Sequence, residues 1–126
     1  MTVLELVPIA QPGFATETTL EGSVISVRFT GNADMRAISE LESFLPKLHI
    51  EAQKVACSEV VVNFSSLEFM NSSCFKSFVG WISNIQELPG EKQYRIRFMS
   101  NAKMHWQKRS LHALRCFAVD LVTIEG

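Results

Sequence analysis

Three stretches of the sequence predict an α/β domain. SVISVRF, residues 23–29, sets Ile25, Val27 and Phe29 on one face and Val24, Ser26 and Arg28 on the other, the alternation of a half-buried strand. VVVNF, residues 60–64, is an unbroken β-branched run, typical of a strand covered on both faces. Phe75, Phe78, Val79, Ile82 and Ile85 recur at offsets 0, 3, 4, 7 and 10, the apolar stripe of a helix. Strands that alternate with helices pair in parallel through right-handed crossovers.

The elements follow in order. Val3 to Ile9 is expected as a first strand, and QPGFATETTLEG after it, rich in turn formers, as a connection. Val24 to Phe29 is the next strand. TGNAD (Thr30 to Asp34) reads as a turn before a helix, with Asn32 or Asp34 placed to cap its free amides. Ile38, Leu41, Leu45 and Leu48 make that helix's apolar stripe, and Pro46 is expected to kink or break it. HIEAQKVAC then reads as a second short helix. After VVVNF comes FMNSSCF, residues 69–75, where a strand gives way to the Phe75–Ile85 helix. Cys74 and Trp81 widen that helix's apolar face, and Pro89-Gly90 ends it. Tyr94 to Met99 alternates as a strand. Ser100-Asn101 is placed to cap a third helix carrying Met104, Leu111 and Leu114, and Ala118 to Ile124 is a last strand.

Length and composition narrow the class. The 126 residues fit one domain, 1–126. No apolar run approaches the ~20 residues of a membrane span, and no basic residue precedes the apolar start MTVLELVPIA, so neither a membrane partner nor a secretory leader is expected. Cys57, Cys74 and Cys116 form no CxxC pair, which argues for reduced thiols and a cytoplasmic location. Charge is divided. Residues 1–90 hold five Lys/Arg against ten Asp/Glu, and residues 91–126 seven against three. The basic excess is small beside a dedicated phosphate-binding patch, so a solvated helix face is expected and nucleic acid is not.

The adjacent hydroxyls of Ser72 and Ser73 are the sequence's most informative feature. Asn71 or Ser72 can cap the helix that follows. The same helix start, with its amides and positive dipole end, also tolerates an anion. A phosphate on Ser73 would add a charge of about −1.5 to −2 there, with Lys76 three residues on. Competing chemistry is weak. Cys74 has histidines only far off in sequence, at His49, His105 and His112, and a cysteine nucleophile needs a base beside it. His105 and His112 lack the acidic residue of a zinc helix, and no glycine-rich phosphate loop or GxSxG elbow is present. Neither metal, cofactor nor enzymatic activity is expected.

SEVVVNFSSLEFMNSSCFKSFVGWISNI resembles the central segment of the STAS domain, and more closely that of the bacterial anti-sigma factor antagonists. There a strand like IVLNL leads to a loop ending FMDSSGL and an amphipathic helix. TGNAD is similar to a TGELD-like turn of that family, and SNAKMHWQ to an SPAVKRLF-like helix start; the likeness runs from about Leu4 to Ile124. It implies a mixed sheet of four or five strands with helices packed mainly on one face. It also implies a non-catalytic partner switch. Family members are phosphorylated on the second serine by a serine kinase that is itself an anti-sigma factor, and a PP2C-type phosphatase removes the phosphate. By position, Ser73 is the acceptor and Ser72 its neighbour, with Asn71, Cys74, Lys76 and Asp34 in the partner-binding surface. Asn71 stands where the family has aspartate, and Cys74 where it has glycine. The alternative is an unphosphorylated docking or ligand-sensing module of a larger signalling or transport assembly.

Overall fold

A computed structural model describes residues 4–125. One six-stranded sheet keeps its strands in chain order: β1 (Ala10–Gln11), β2 (Phe14–Glu21), β3 (Val24–Ala33), β4 (Glu59–Met70), β5 (Arg95–Met99) and β6 (Val122–Glu125). The first three pair antiparallel. The last four are parallel, joined by α1 (Ile38–Lys54), α2 (Ser72–Gln86) and α3 (His105–Phe117). Each crossover steps to the next strand in the same direction, and right-handed crossovers taken in one direction put all three helices on one face.

The register shows which face that is. Leu20, Ile25, Val60, Ile96 and Val122 lie in one row across five strands, and Thr18, Val27, Val62, Phe98 and Ile124 in another. Over these rows pack Leu41, Leu45 and Leu48 of α1, Phe78, Ile82 and Ile85 of α2, and Leu111 and Leu114 of α3. The opposite face is largely polar: Glu17 pairs across from Arg28, and Arg97 binds Glu59 at 3.1 Å and Glu125 at 3.3 Å. Val61 is buried on that face too. Its ladder neighbours are Ser26 and Arg97, and an arginine stem can shield a valine while its head stays wet.

Several expectations change. The sheet has six strands, one more than the upper figure. Val3 lies outside the described residues, and residues 4–9 form no strand. Pro8 carries no amide for a ladder, and Ile9 is held instead by Thr16, whose Oγ1 accepts from the Ile9 amide at 2.9 Å. Most of the supposed connection is β2. Only Pro12-Gly13 turns, and the β-branched threonines of FATETTLE suit a strand. TGNA continues β3 rather than turning. Pro46 does not break α1, which runs through it and absorbs the expected second helix; the proline is exposed, so the carbonyl it leaves unbonded lies near solvent. The last strand begins only at Val122, after a turn.

β4 carries an extra residue at each of two register shifts against β3. Arg28 pairs with Asn63 but Thr30 with Ser66, a bulge that lets Phe64 and Leu67, three apart, both enter the core. Its backbone groups are met by side chains. Asn63 Oδ1 accepts from the Ser65 amide at 2.8 Å. Gln107 of α3, fully buried, donates Nε2 to the Phe64 and Leu67 carbonyls at 2.6 and 2.9 Å.

A second buried polar group links α1 and α2 to the residue just before β5. Trp81 Nε1 donates to the Tyr94 hydroxyl at 2.9 Å, and that hydroxyl lies 2.6 Å from His49 Nδ1. The phenol can give its proton to Nδ1 when the neutral imidazole carries its own on Nε2. Burial lowers the His49 pKa below its ordinary value. A lowered histidine pKa contributes stability that is complete above the unfolded value, near 6.5, and is lost as pH falls through the folded one. Wild type is therefore expected to lose more thermal stability than His49→Gln between pH 7.5 and pH 5; equal losses in a melting series would place the titration elsewhere.

Candidate functional site

The site lies where β4 ends and α2 begins. Asn71 is the N-cap of α2, extended at φ −81° and ψ 171°, and its Oδ1 accepts from the Cys74 amide at 2.8 Å. The Asn71 amide donates to the Ala33 carbonyl at 2.9 Å, so the helix start is tied to the end of β3. Ser72 and Ser73 follow in the first turn, both exposed. Among the described residues neither hydroxyl has a hydrogen-bond partner, which leaves both available to solvent. Lys76, one turn along, is exposed as well and forms no ion pair with any described residue. Removing the cap with Asn71→Ala should cost about 1 kcal/mol in urea unfolding, while Asn71→Asp should not. Equal losses would mean the amide group does more than accept this bond.

The β3–α1 turn forms the adjoining wall. Neither Asn32 nor Asp34 caps α1, whose N-cap is Ala37 with no side-chain bond. Asp34 instead closes the preceding turn, its carboxylate accepting from the Arg36 amide and guanidinium, both at 3.0 Å. Those bonds hold its carboxyl below the usual range, so Asp34 faces the site as an anion already partnered by Arg36.

Cys74 corrects one expectation. Its side chain is 0% exposed, with Sγ 3.8 Å from the Asp34 carbonyl. It therefore cannot touch a partner directly. A residue in the third helical position points back under the turn, and here that direction leads into the core. Burial pushes its thiol up to about 11, which removes it as a nucleophile at neutral pH. Its bulk lies in the core, while Ser73 beside it in the chain stays exposed.

Two residues that periodicity did not single out complete the surface. Met35, two residues past the Ala33 carbonyl, is 82% exposed, and Phe69, two residues before Asn71, is 46% exposed. Both lie close in sequence to the segments that tie β3 to the start of α2, and large exposed apolar side chains are what a protein partner can bury. Phe69 was visible in FMNSSCF, but the bulges of β4 hide its direction from an alternation count. Ser100 and Asn101 also differ from expectation: the N-cap of α3 is Met104, with no side-chain bond, and Asn101 Oδ1 accepts from the Lys103 amide in the turn before it, at 2.9 Å.

No family model matches the sequence, and no curated protein matches it. Solved structures do. An anti-sigma factor antagonist from Mycobacterium paratuberculosis superposes with TM-score 0.65 at 16% identity, over 93% of this chain and 90% of that one. The anti-sigma factor antagonist SpoIIAA in its unphosphorylated form gives 0.58 at 16% identity, over 90% and 88%. The Bacillus cell fate determinant SpoIIAA in its phosphorylated form gives 0.57 at 15%, over 90% and 91%. The chain has the STAS-like fold of these proteins, and no helix among its described residues is long and apolar enough to cross a membrane.

Proposed function

From a STAS-like fold with this helix start, we propose that the chain is a non-catalytic partner switch. Its docking surface is the start of α2 with Met35 and Phe69, and its control is a phosphate on Ser73. The observation that carries this reading is the exposed, unengaged Ser73 hydroxyl in the first turn of a helix already capped by Asn71. The partner would be a serine kinase of the anti-sigma type, the phosphatase would be of the PP2C type, and both would act in the cytoplasm.

The physics of the switch is local. A phosphate at the positive end of α2 is compatible with the fold. The same dianion entering a desolvated apolar interface is costly unless a cation meets it. Ser73→Asp is therefore expected to weaken kinase binding by about tenfold, roughly 1.4 kcal/mol, with an unchanged melting temperature. Ser73→Ala should keep binding and abolish modification; Ser72→Ala should do neither. Isothermal titration with the cognate kinase, and mass spectrometry after incubation with ATP, read both effects. An unmodified Ser73, or a Ser73→Asp variant that binds as tightly as wild type, would leave a constitutive docking module.

A further inference from the structure

We propose that the outer face of α3 is a second docking surface, for an acidic segment of a protein partner that sets an apolar side chain among its carboxylates. His105, Lys108, Arg109, His112 and Arg115 are all exposed and recur at helical spacing opposite the buried Gln107, Leu111 and Leu114. The sequence contains no aspartate or glutamate from residue 92 to residue 119. Elsewhere Arg36, Lys54 and Arg97 bind carboxylates of this chain. Among the described residues Lys103, Lys108, Arg109 and Arg115 have none.

This arrangement works against the helix that carries it. No acidic side chain lies in its first turn, where the dipole favours one and disfavours Lys108 at its end. A chain that sets aside a local rule often does so for function, and a partner's carboxylates would relieve the conflict.

A cleft of about 510 Å³ opens along the same stripe, with Met104 and Ile124 as apolar lining beside His105, Lys108 and His112. It gives one apolar side chain a seat beside Lys108. Nucleic acid fits less well: the stripe spans only about 15 Å of helix, its cleft is partly apolar, and residues 1–90 carry five more acidic than basic groups, which repel a long polyanion. This surface is independent of the Ser73 reading.

The probe is the peptide Glu-Glu-Leu-Glu-Glu-Leu, blocked at both ends and titrated into the ¹⁵N-labelled full chain. Amide shifts should concentrate in residues 100–116 and at Ile124. Lys108→Glu with Arg109→Glu should raise the Kd by about tenfold or more, because like charge now meets like. Lys47→Glu with Lys92→Glu, and Ser73→Asp, should leave it within about twofold. Should the reversal perturb the helix by circular dichroism, Lys108→Gln with Arg109→Gln gives a smaller loss of the same sign. The proposal is overturned if shifts gather elsewhere, if the α3 variants bind as wild type does, or if Ser73→Asp alone loses binding. Tighter binding of a ~20-base-pair duplex than of the peptide at about 150 mM salt would also overturn it and assign the stripe to nucleic acid.

Discussion

Gly31→Ala is expected to lower stability by about 3–5 kcal/mol, a large part of the 5–15 kcal/mol that holds a domain of this size together. Two terms add. Gly31 has φ +99°, where a Cβ brings strain of roughly 1–3 kcal/mol. An alanine methyl there would also overlap the Gly13 carbonyl oxygen and come within 2.7 Å of its carbon. Both neighbours are backbone, so relief requires β2 and β3 to part where the Asn32 amide donates to Gly13 at 2.7 Å. Gly80 in α2 is the control. Nothing lies within 4 Å of its Cβ position, so Gly80→Ala should stabilise the helix by about 0.5–1 kcal/mol. Urea midpoints measure both, and a Gly31→Ala loss under about 1 kcal/mol would show that the Pro12-Gly13 turn can move aside.

Phe78→Ala comes next, at about 3–5 kcal/mol. Its ring packs edge-on against Phe29 and Phe64 at 5.6 and 5.4 Å, and against Phe98 and Trp81 at 6.4 Å. Truncation opens a cavity among aromatic rings that cannot collapse far. Phe75→Ala should cost clearly less, since Phe75 and Val79 are only half-buried and the inner face of α2 centres on Phe78, Ile82 and Ile85. Equal losses in chemical denaturation would mean the helix is turned toward Phe75 in solution.

Periodicity read well where a face is regular. The α2 stripe, the Val24–Phe29 alternation and the buried VVVNF run all stand, because an amphipathic period survives any tertiary context that buries one side. It failed where the fold depends on distant partners. Thr16 and Thr18 look like turn composition until β3 pairs with them. Pro46 looks like a breaker until its exposed side is known. Gln107 reads as a surface glutamine on a basic helix, yet the carbonyls it serves lie 40 and 43 residues back in a bulge no local pattern announces. At the candidate site, the cap and the hydroxyls were legible because capping is a local rule. The inward turn of Cys74 was legible too, as a residue that widens the apolar face of α2, whereas the exposure of Met35 and Phe69 follows from how β3 meets β4, which the sequence does not spell out.

Strand order equal to chain order has a consequence for how the domain is made. No strand must be inserted between two that have already paired, so the sheet can grow at a single advancing edge as the polypeptide leaves the ribosome. The parallel partners Val24 and Glu59, Val60 and Ile96, and Ile96 and Val122 are 35, 36 and 26 residues apart. The cost of closing a loop rises only with the logarithm of its length, so the three additions demand nearly equal entropy and none is a late bottleneck. At ~5–20 residues per second synthesis takes on the order of ten seconds. Until the α3–β6 unit emerges, the advancing edge is β5, and the Phe64 and Leu67 carbonyls wait for Gln107.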